Sequence, residues 1–178
     1  MPDRRKLTLQ DIVYIGVLAS MCAIATSIKI PVGVGAMVHL GTAFMFTVAM
    51  TFGGLYAGLS AAIGSAFFDL LMGFSPYTPW SFVIKGIAGL IAGLIAHGLW
   101  PQEKFPTDAR PSWSLFRAMI GCVAAALWTL AGYILAWWQV TGSLSVALAN
   151  IPASLLTSAV GLIVAVILAP KLKKALRR

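Results

Sequence analysis

Long apolar runs, broken by short glycine-, proline- or charge-bearing stretches, organise the chain. A helix needs about 20 mostly apolar residues to cross a bilayer core, and most of the runs reach that length. The first covers about 9–28 and ends before Pro31-Val32-Gly33-Val34-Gly35, which reads as a loop. From Gly41 to Met72 the apolar stretch is too long for one straight span, and Gly53-Gly54 marks the break. The pattern therefore predicts a short second helix over about 41–53 and a third over about 55–72. Gly73 to Pro79 reads as a loop, with Pro76 and Pro79 as breakers. A fourth helix follows over about 80–100, then a polar connection from Pro101 to Pro111. A fifth covers about 114–139 and a sixth about 149–169, with Pro170 expected to stop it. The expected fold is an all-α membrane protein, with residues 1–178 as a single six-helix integral membrane domain.

Charge gives this bundle an orientation. Eleven of the thirteen lysines and arginines fall at the start, in the middle connection and at the end, including Arg4, Arg5, Lys6, Lys104, Arg110, Arg117, Lys171, Lys173, Lys174, Arg177 and Arg178. Basic residues concentrate in cytoplasmic segments, so both termini are expected inside, with Lys29 in an outer loop and Lys85 within the membrane. The net charge of +8 in a chain that is 60% hydrophobic points the same way. Basic clusters at the edges of apolar spans contact lipid headgroups rather than nucleic acid. The first run reads as a retained helix, because Lys29-Ile30-Pro31 is no small-residue cleavage site. Cys22 and Cys122 lie within apolar runs as small core residues, with no spacing that suggests metal or disulfide chemistry.

The usual marks of catalysis are missing from the sequence. It holds no G-x-x-x-x-G-K loop, no nucleophile elbow and no metal-ligand pair at helical spacing, and His39 and His97 stand far apart. No cofactor is expected, and a binding or transport role is favoured over an enzyme. Of the five acids, Asp3, Asp11, Asp69, Glu103 and Asp108, Asp69 is the one expected at membrane depth. A charge at the bilayer centre costs roughly 2.5–3.5 kcal/mol on insertion scales, so Asp69 and Lys85 need a partner or a function.

These two charges belong to the same half of the bundle. Asp69 lies about one turn from the outer end of the third helix, and Lys85 about 7–8 Å into the fourth from the same side, at 1.5 Å per residue. His39, Thr42, Tyr77, Thr78, Trp80, Trp137, Trp138, Gln139 and Asn150 are expected at the same level. Aromatic faces with a few donors and acceptors suit a pocket near the extracellular side for a small, flat, polar molecule. Structural readings stand beside this one. Asp69 and Lys85 form an ion pair between helices, the tryptophans an interfacial belt, Asn150 and His39 helix caps, and His97 a snorkelling residue.

Small residues recur at a spacing of four. Gly16 with Ser20 and Ala19 with Ala23 do so on the first helix, Gly54, Gly58, Ala57, Ala61 and Ser65 on the third, and Gly89 with Gly93 on the fourth. In lipid such faces let helices pack closely, either within the bundle or, for the first helix, against another membrane protein.

The runs Val38-His39-Leu40-Gly41-Thr42-Ala43-Phe44, Phe52-Gly53-Gly54-Leu55-Tyr56-Ala57-Gly58, Gly64-Ser65-Ala66-Phe67-Phe68-Asp69-Leu70 and Pro79-Trp80-Ser81-Phe82-Val83-Ile84-Lys85-Gly86-Ile87-Ala88-Gly89-Leu90 resemble a known family. It is the substrate-binding S components of energy-coupling factor (ECF) vitamin transporters. The resemblance covers the whole length and is sharpest over residues 38–93. It implies a multi-pass subunit of a prokaryotic plasma membrane that captures a vitamin or precursor from outside. A transmembrane coupling protein and two ATPase subunits, all separate chains, would supply the energy. In the family an Ala-x-x-x-Ala face of the first helix meets the coupling protein, and Ala19 and Ala23 match it here, flanked by Gly16 and Ser20. Members are thought to topple in the membrane as ATP is hydrolysed. Relatives often carry an acid after His-Leu-Gly, where Thr42 stands here. The resembling group includes carriers of riboflavin, pyridoxine-like molecules and the hydroxymethylpyrimidine precursor of thiamin. Hydroxymethylpyrimidine or pyridoxine is favoured here. The expected ligand contacts are His39, Thr42, Asp69, Tyr77, Trp80, Lys85, Trp138, Gln139 and Asn150. The alternative is a stand-alone, ion-coupled secondary carrier that uses Asp69 as its ion site.

Overall fold

A computed structural model describes residues 7–31, 37–99 and 111–176, the last stretch with side chains over 115–175. The loop expected at Val32 to Gly35, nearly all of the polar connection at 101–111 and the basic residues Arg4, Arg5, Lys6, Lys104, Arg110, Arg177 and Arg178 lie outside the described residues.

The first helix, α1 (Leu9–Ser27), starts on a capping box. Thr8 Oγ1 accepts from the Asp11 backbone N–H at 3.2 Å while Asp11 Oδ2 accepts from the Thr8 N–H at 2.8 Å, which satisfies donors that a helix start leaves open. Two short antiparallel strands follow, β1 (Lys29–Pro31) and β2 (Met37–His39), with Lys29 opposite His39. This hairpin was not foreseen from the sequence.

Helix α2 (Gly41–Phe52) is only 12 residues long, about 18 Å at 1.5 Å per residue. It is buried on nearly every side, with Met45, Phe46, Val48, Ala49 and Met50 at the centre of the main core. An all-round apolar helix is stable where neighbours enclose it. The break expected at Gly53-Gly54 is present: Gly53 has φ of 88°, a conformation that costs glycine little, and α3 (Gly54–Leu71) begins directly after it.

A 3₁₀ turn at Ser75–Tyr77 leads into α4 (Thr78–Ala96). The expected small-residue faces of the third and fourth helices meet each other. A Cβ on Gly93 would lie 2.3 Å from the Gly54 nitrogen, and one on Gly89 would lie 2.5 Å from the Ala57 carbonyl oxygen. Backbones approach this closely only where side chains are absent.

The remaining helices are α5 (Pro111–Thr141), the short α6 (Leu144–Ala149) and α7 (Ile151–Leu176). The expectation that Pro170 stops the last helix is corrected, since Pro170 sits inside α7, which runs on to Leu176. Proline removes one ladder hydrogen bond, a loss that membrane helices tolerate when neighbouring groups take up the freed carbonyl. Helix α6 was also not expected; Ser143 caps it, its hydroxyl accepting from the Val146 N–H at 3.4 Å.

Among the described residues five helical segments are long and apolar enough to cross a membrane: Leu9–Ser27, Gly54–Leu71, Ser75–Ala96, Leu115–Thr141 and Leu144–Ala175. Helix α2 is the shorter apolar sixth. Cross-contacts set their directions. Helices α1 and α3 run side by side in one direction, with Asp11 bonded to Tyr56 near their starts and Gly64 against Ala19 and Cys22 further along. Helix α4 runs the opposite way against α3 and α5. Helix α7 runs with α2, since Gly161 meets Thr42 and Ala43 while Lys173 reaches the far pole beside His97 and Met50. The bundle therefore has two poles, and Arg117, Lys171, Lys173 and Lys174 gather at the one where α1, α3 and α5 begin.

Candidate functional site: a polar cavity at one pole

At the opposite pole a cavity opens between the ends of α1, α3 and α5 and the beginnings of α2, α4 and α7, with β2 along one side. It holds about 730 Å³ of empty space, its open mouth included. Four of these helices contribute side chains at helical spacing: Ser65 and Asp69 from α3, Ser81 and Lys85 from α4, Thr129 and Tyr133 with Trp137 from α5, and Ser154, Thr157 and Ser158 from α7. Residues three or four apart share a face, so each set is one helix's inward stripe. Thr26, Met37, His39, Thr42, Phe68, Phe74 and Tyr77 complete the wall.

Two charges line this space without neutralising each other directly. The Lys85 ammonium donates to Thr42 Oγ1 at 3.0 Å and lies 5.5 Å from the centre of the Tyr133 ring. No salt bridge joins it to Asp69 among the described residues, so the expected meeting of the pair becomes a shared cavity rather than an ion pair. Asp69 is 7% exposed, and its Oδ2 has no hydrogen-bond partner among the described residues. A buried carboxylate oxygen without a donor is costly, and a ligand that brings one recovers that cost.

The neutral donors are also held in place. Ser81 Oγ and Tyr133 Oη lie 2.9 Å apart, linking α4 to α5 across the cavity wall. Thr157 Oγ1 is 3.1 Å from the Met37 carbonyl oxygen, which ties the hairpin to α7. The Gly41 backbone N–H donates to His39 Nδ1 at 3.1 Å, so the neutral ring carries its proton on Nε2. Burial, followed by the positive charges of Lys85 and Lys29, pushes the His39 imidazole down to about 3, which keeps it uncharged. Among the described residues no three His, Cys, Asp or Glu side chains converge as metal ligands would.

Of the ligand contacts expected from sequence, His39, Thr42, Asp69, Tyr77 and Lys85 line the cavity together. Trp80, Trp138, Gln139 and Asn150 do not. The reason is helical phase. Trp137 shares the inward stripe with Thr129 and Tyr133, which turns Trp138 (47% exposed) and Gln139 outward. Trp80 is likewise one position off the Ser81–Lys85 stripe and is half-buried elsewhere. Asn150 is buried at the junction between α6 and α7, where its carbonyl accepts from the Ser154 N–H at 3.2 Å. Trp137, expected at this level, does line the cavity. The residues missed, among them Ser65, Ser81, Tyr133, Ser154, Thr157 and Ser158, carry a signal in their i, i+4 polar spacing within otherwise apolar helices.

The expected docking face on the first helix is split. Ala19 and Ala23 are buried inside the fold, where Gly64 of α3 leaves room for the Ala19 backbone. Gly16 and Ser20 are on the exposed side, and nothing lies within 4 Å of a Cβ built on Gly16.

A helical bundle with five apolar helical segments of membrane-spanning length among the described residues, and a partly charged cavity at one pole, has the form of a membrane protein with room for a small solute. The model of the family described as ECF-type riboflavin transporter, S component, matches residues 6–174, and the chain belongs to that family. It is thus a transporter component and not an enzyme. A UPF0397 protein of Exiguobacterium sp. is 32% identical over 130 residues, which cover 72% of this chain and 69% of that protein. The solved structure of ThiT from Listeria monocytogenes superposes with a TM-score of 0.61 at 17% identity, covering 90% of this chain and 93% of that one. At that identity the likeness establishes the fold.

Proposed function

We propose that this chain is the substrate-capture subunit of an ATP-driven vitamin importer of the prokaryotic plasma membrane. Both termini lie in the cytoplasm and the cavity faces outward, in keeping with the basic residues gathered at the opposite pole. The chain docks on a separate transmembrane coupling protein, which two ATPase subunits drive. The exposed Gly16–Ser20 side of α1 is the part of the expected first-helix face that is open to such a partner.

The observation that carries the ligand reading is the separation of Asp69 from Lys85 within one cavity. An unpartnered acceptor on one wall and an ammonium on another suit a small heteroaromatic molecule with a donor at one edge and an acceptor at the other. Aminopyrimidine and pyridinol rings have that character, so hydroxymethylpyrimidine or pyridoxine is favoured. Riboflavin, the vitamin in the family's description, is the third candidate.

The experiment is a thermal-shift screen of the purified chain against these three molecules and the other B vitamins. A ligand that binds only the folded form raises the midpoint. A shift with a heteroaromatic vitamin or precursor is expected. Silence across the panel would reject the ligand assignment.

A further inference from the structure

The charge arrangement around the cavity extends beyond its lining. Lys29, on β1, is not part of the wall, yet its ammonium lies 4.8 Å from the centre of the Phe68 ring and 5.2 Å from that of Phe74, both of which are. Lys85 stands 5.5 Å from the centre of the Tyr133 ring. Three of the aromatic rings that line the cavity therefore already have a lysine ammonium within cation–π range.

We propose that Lys29 is a specificity-determining residue: with Lys85 it occupies the aromatic faces and leaves the site positively biased, so that the cavity rejects ligands bearing a permanent positive charge. This rests on the reading of the cavity as the ligand site. Two considerations lead to it. Among the described residues, the formal charges in or against the lining are Lys85 and Lys29 on one side and Asp69 on the other, with His39 neutral. A cationic ligand gains most from aromatic faces and from carboxylates. Here Phe68, Phe74 and Tyr133 present it with like charge, and Asp69 alone is left to offset two ammonium groups. A neutral ring meets no such penalty. It takes a hydrogen bond from Lys85 and gives one to Asp69 Oδ2, the buried acceptor without a partner.

Hydroxymethylpyrimidine and thiamine form a suitable pair of probes, because they share a pyrimidine and thiamine adds a permanently charged thiazolium. Dissociation constants for both are measured by calorimetry on the wild-type chain and on Lys29→Met, Lys29→Gln and Lys29→Arg. The wild type is expected to bind the pyrimidine at least about tenfold more tightly than thiamine. Lys29→Met or Lys29→Gln narrows that ratio by roughly fivefold, while Lys29→Arg, which keeps the charge, preserves it. Two neutral replacements keep the test open if one variant fails to fold. Thiamine binding as tightly as the pyrimidine in the wild type, or a ratio indifferent to loss of the Lys29 charge, overturns the charge filter alone. If neither probe binds the wild type, hydroxymethylpyrimidine is excluded as the cargo and the filter falls with it, while pyridoxine and riboflavin stay open to the thermal-shift screen.

Discussion

The Lys85 ammonium donates to Thr42 Oγ1 at 3.0 Å and so joins the second turn of α4 to the first turn of α2. Lys85 is 5% exposed and has a hydroxyl, not a carboxylate, as its hydrogen-bond acceptor. With one hydroxyl acceptor among the described residues, a lysine at this depth is under-satisfied, since an ammonium carries three donors. The two donors left over are available to a ligand. Lys85→Met should therefore weaken ligand binding by about tenfold or more, the scale of one lost charge-assisted hydrogen bond, while the chain still inserts and purifies. Calorimetry with the ligand found by thermal shift measures this, and unchanged affinity would return Lys85 to a structural role.

Asp69 supplies the opposite function. Asp69→Asn keeps the shape and one acceptor oxygen but removes the charge, whereas Asp69→Ala removes the acceptor altogether. Binding should fall in both, by about tenfold or more for Ala and by less for Asn. Equal affinities for wild type and Asp69→Ala would remove Asp69 from the ligand's contacts.

His39 gives the hairpin a pH dependence of known sign. Its imidazole is pushed down to about 3 by burial and by Lys85 and Lys29, below the ordinary 6.5 of an unfolded chain. Between these values the unfolded chain binds the extra proton, so the contribution of His39 to stability is full above about 6.5 and is lost as pH falls towards 3. The melting midpoint in detergent should drop more steeply below pH 6.5 for the wild type than for His39→Gln. Parallel profiles for the two would contradict the assignment.

Glycines at the α3–α4 contact and on the free side of α1 should behave in opposite ways. A Cβ at Gly93 would lie 2.4 Å from the Gly54 Cα, a backbone atom that cannot swing aside, whereas one at Gly16 meets nothing within 4 Å. Gly93→Ala should destabilise the bundle by about 1–3 kcal/mol, the usual cost of overpacking, and Gly16→Ala should leave the melting midpoint unchanged. Equal midpoints for the two variants would show that the α3–α4 approach is looser than described.

The same split applies to partner docking. Ala19→Trp and Ala23→Trp place a large ring inside the fold and should lower the yield of folded chain. Gly16→Trp and Ser20→Trp should abolish uptake in cells and leave ligand binding by the isolated chain intact. Uptake that survives both exposed substitutions would place the docking surface elsewhere.

The helices were legible because apolar run length and glycine breaks are local properties. Gly53-Gly54 marked the short α2 so clearly that its bounds differ from the expected ones by a single residue. Asp69 and Lys85 stood out for a similar reason, since charge at membrane depth is rare. What was hidden depended on rotation about a helix axis. Trp137 and Trp138 are adjacent in sequence but about 100° apart on the helix, and burial separates them as 5% and 47% exposed. Ala19 and Gly16 pose the same problem, because a spacing of four names a face without saying what covers it. The hairpin was missed because three-residue strands have no periodicity to read, and α7 runs past Pro170 to Leu176 because a proline costs a helix one ladder bond without always ending it.

Native mass spectrometry of the chain released from membranes tests the central claim most directly, with Asp69→Ala/Lys85→Ala measured alongside the wild type. The wild type should retain a small-molecule adduct that the double variant, folded and with a similar melting midpoint, has lost. The same adduct on both proteins would contradict the claim that these two charges hold the cargo.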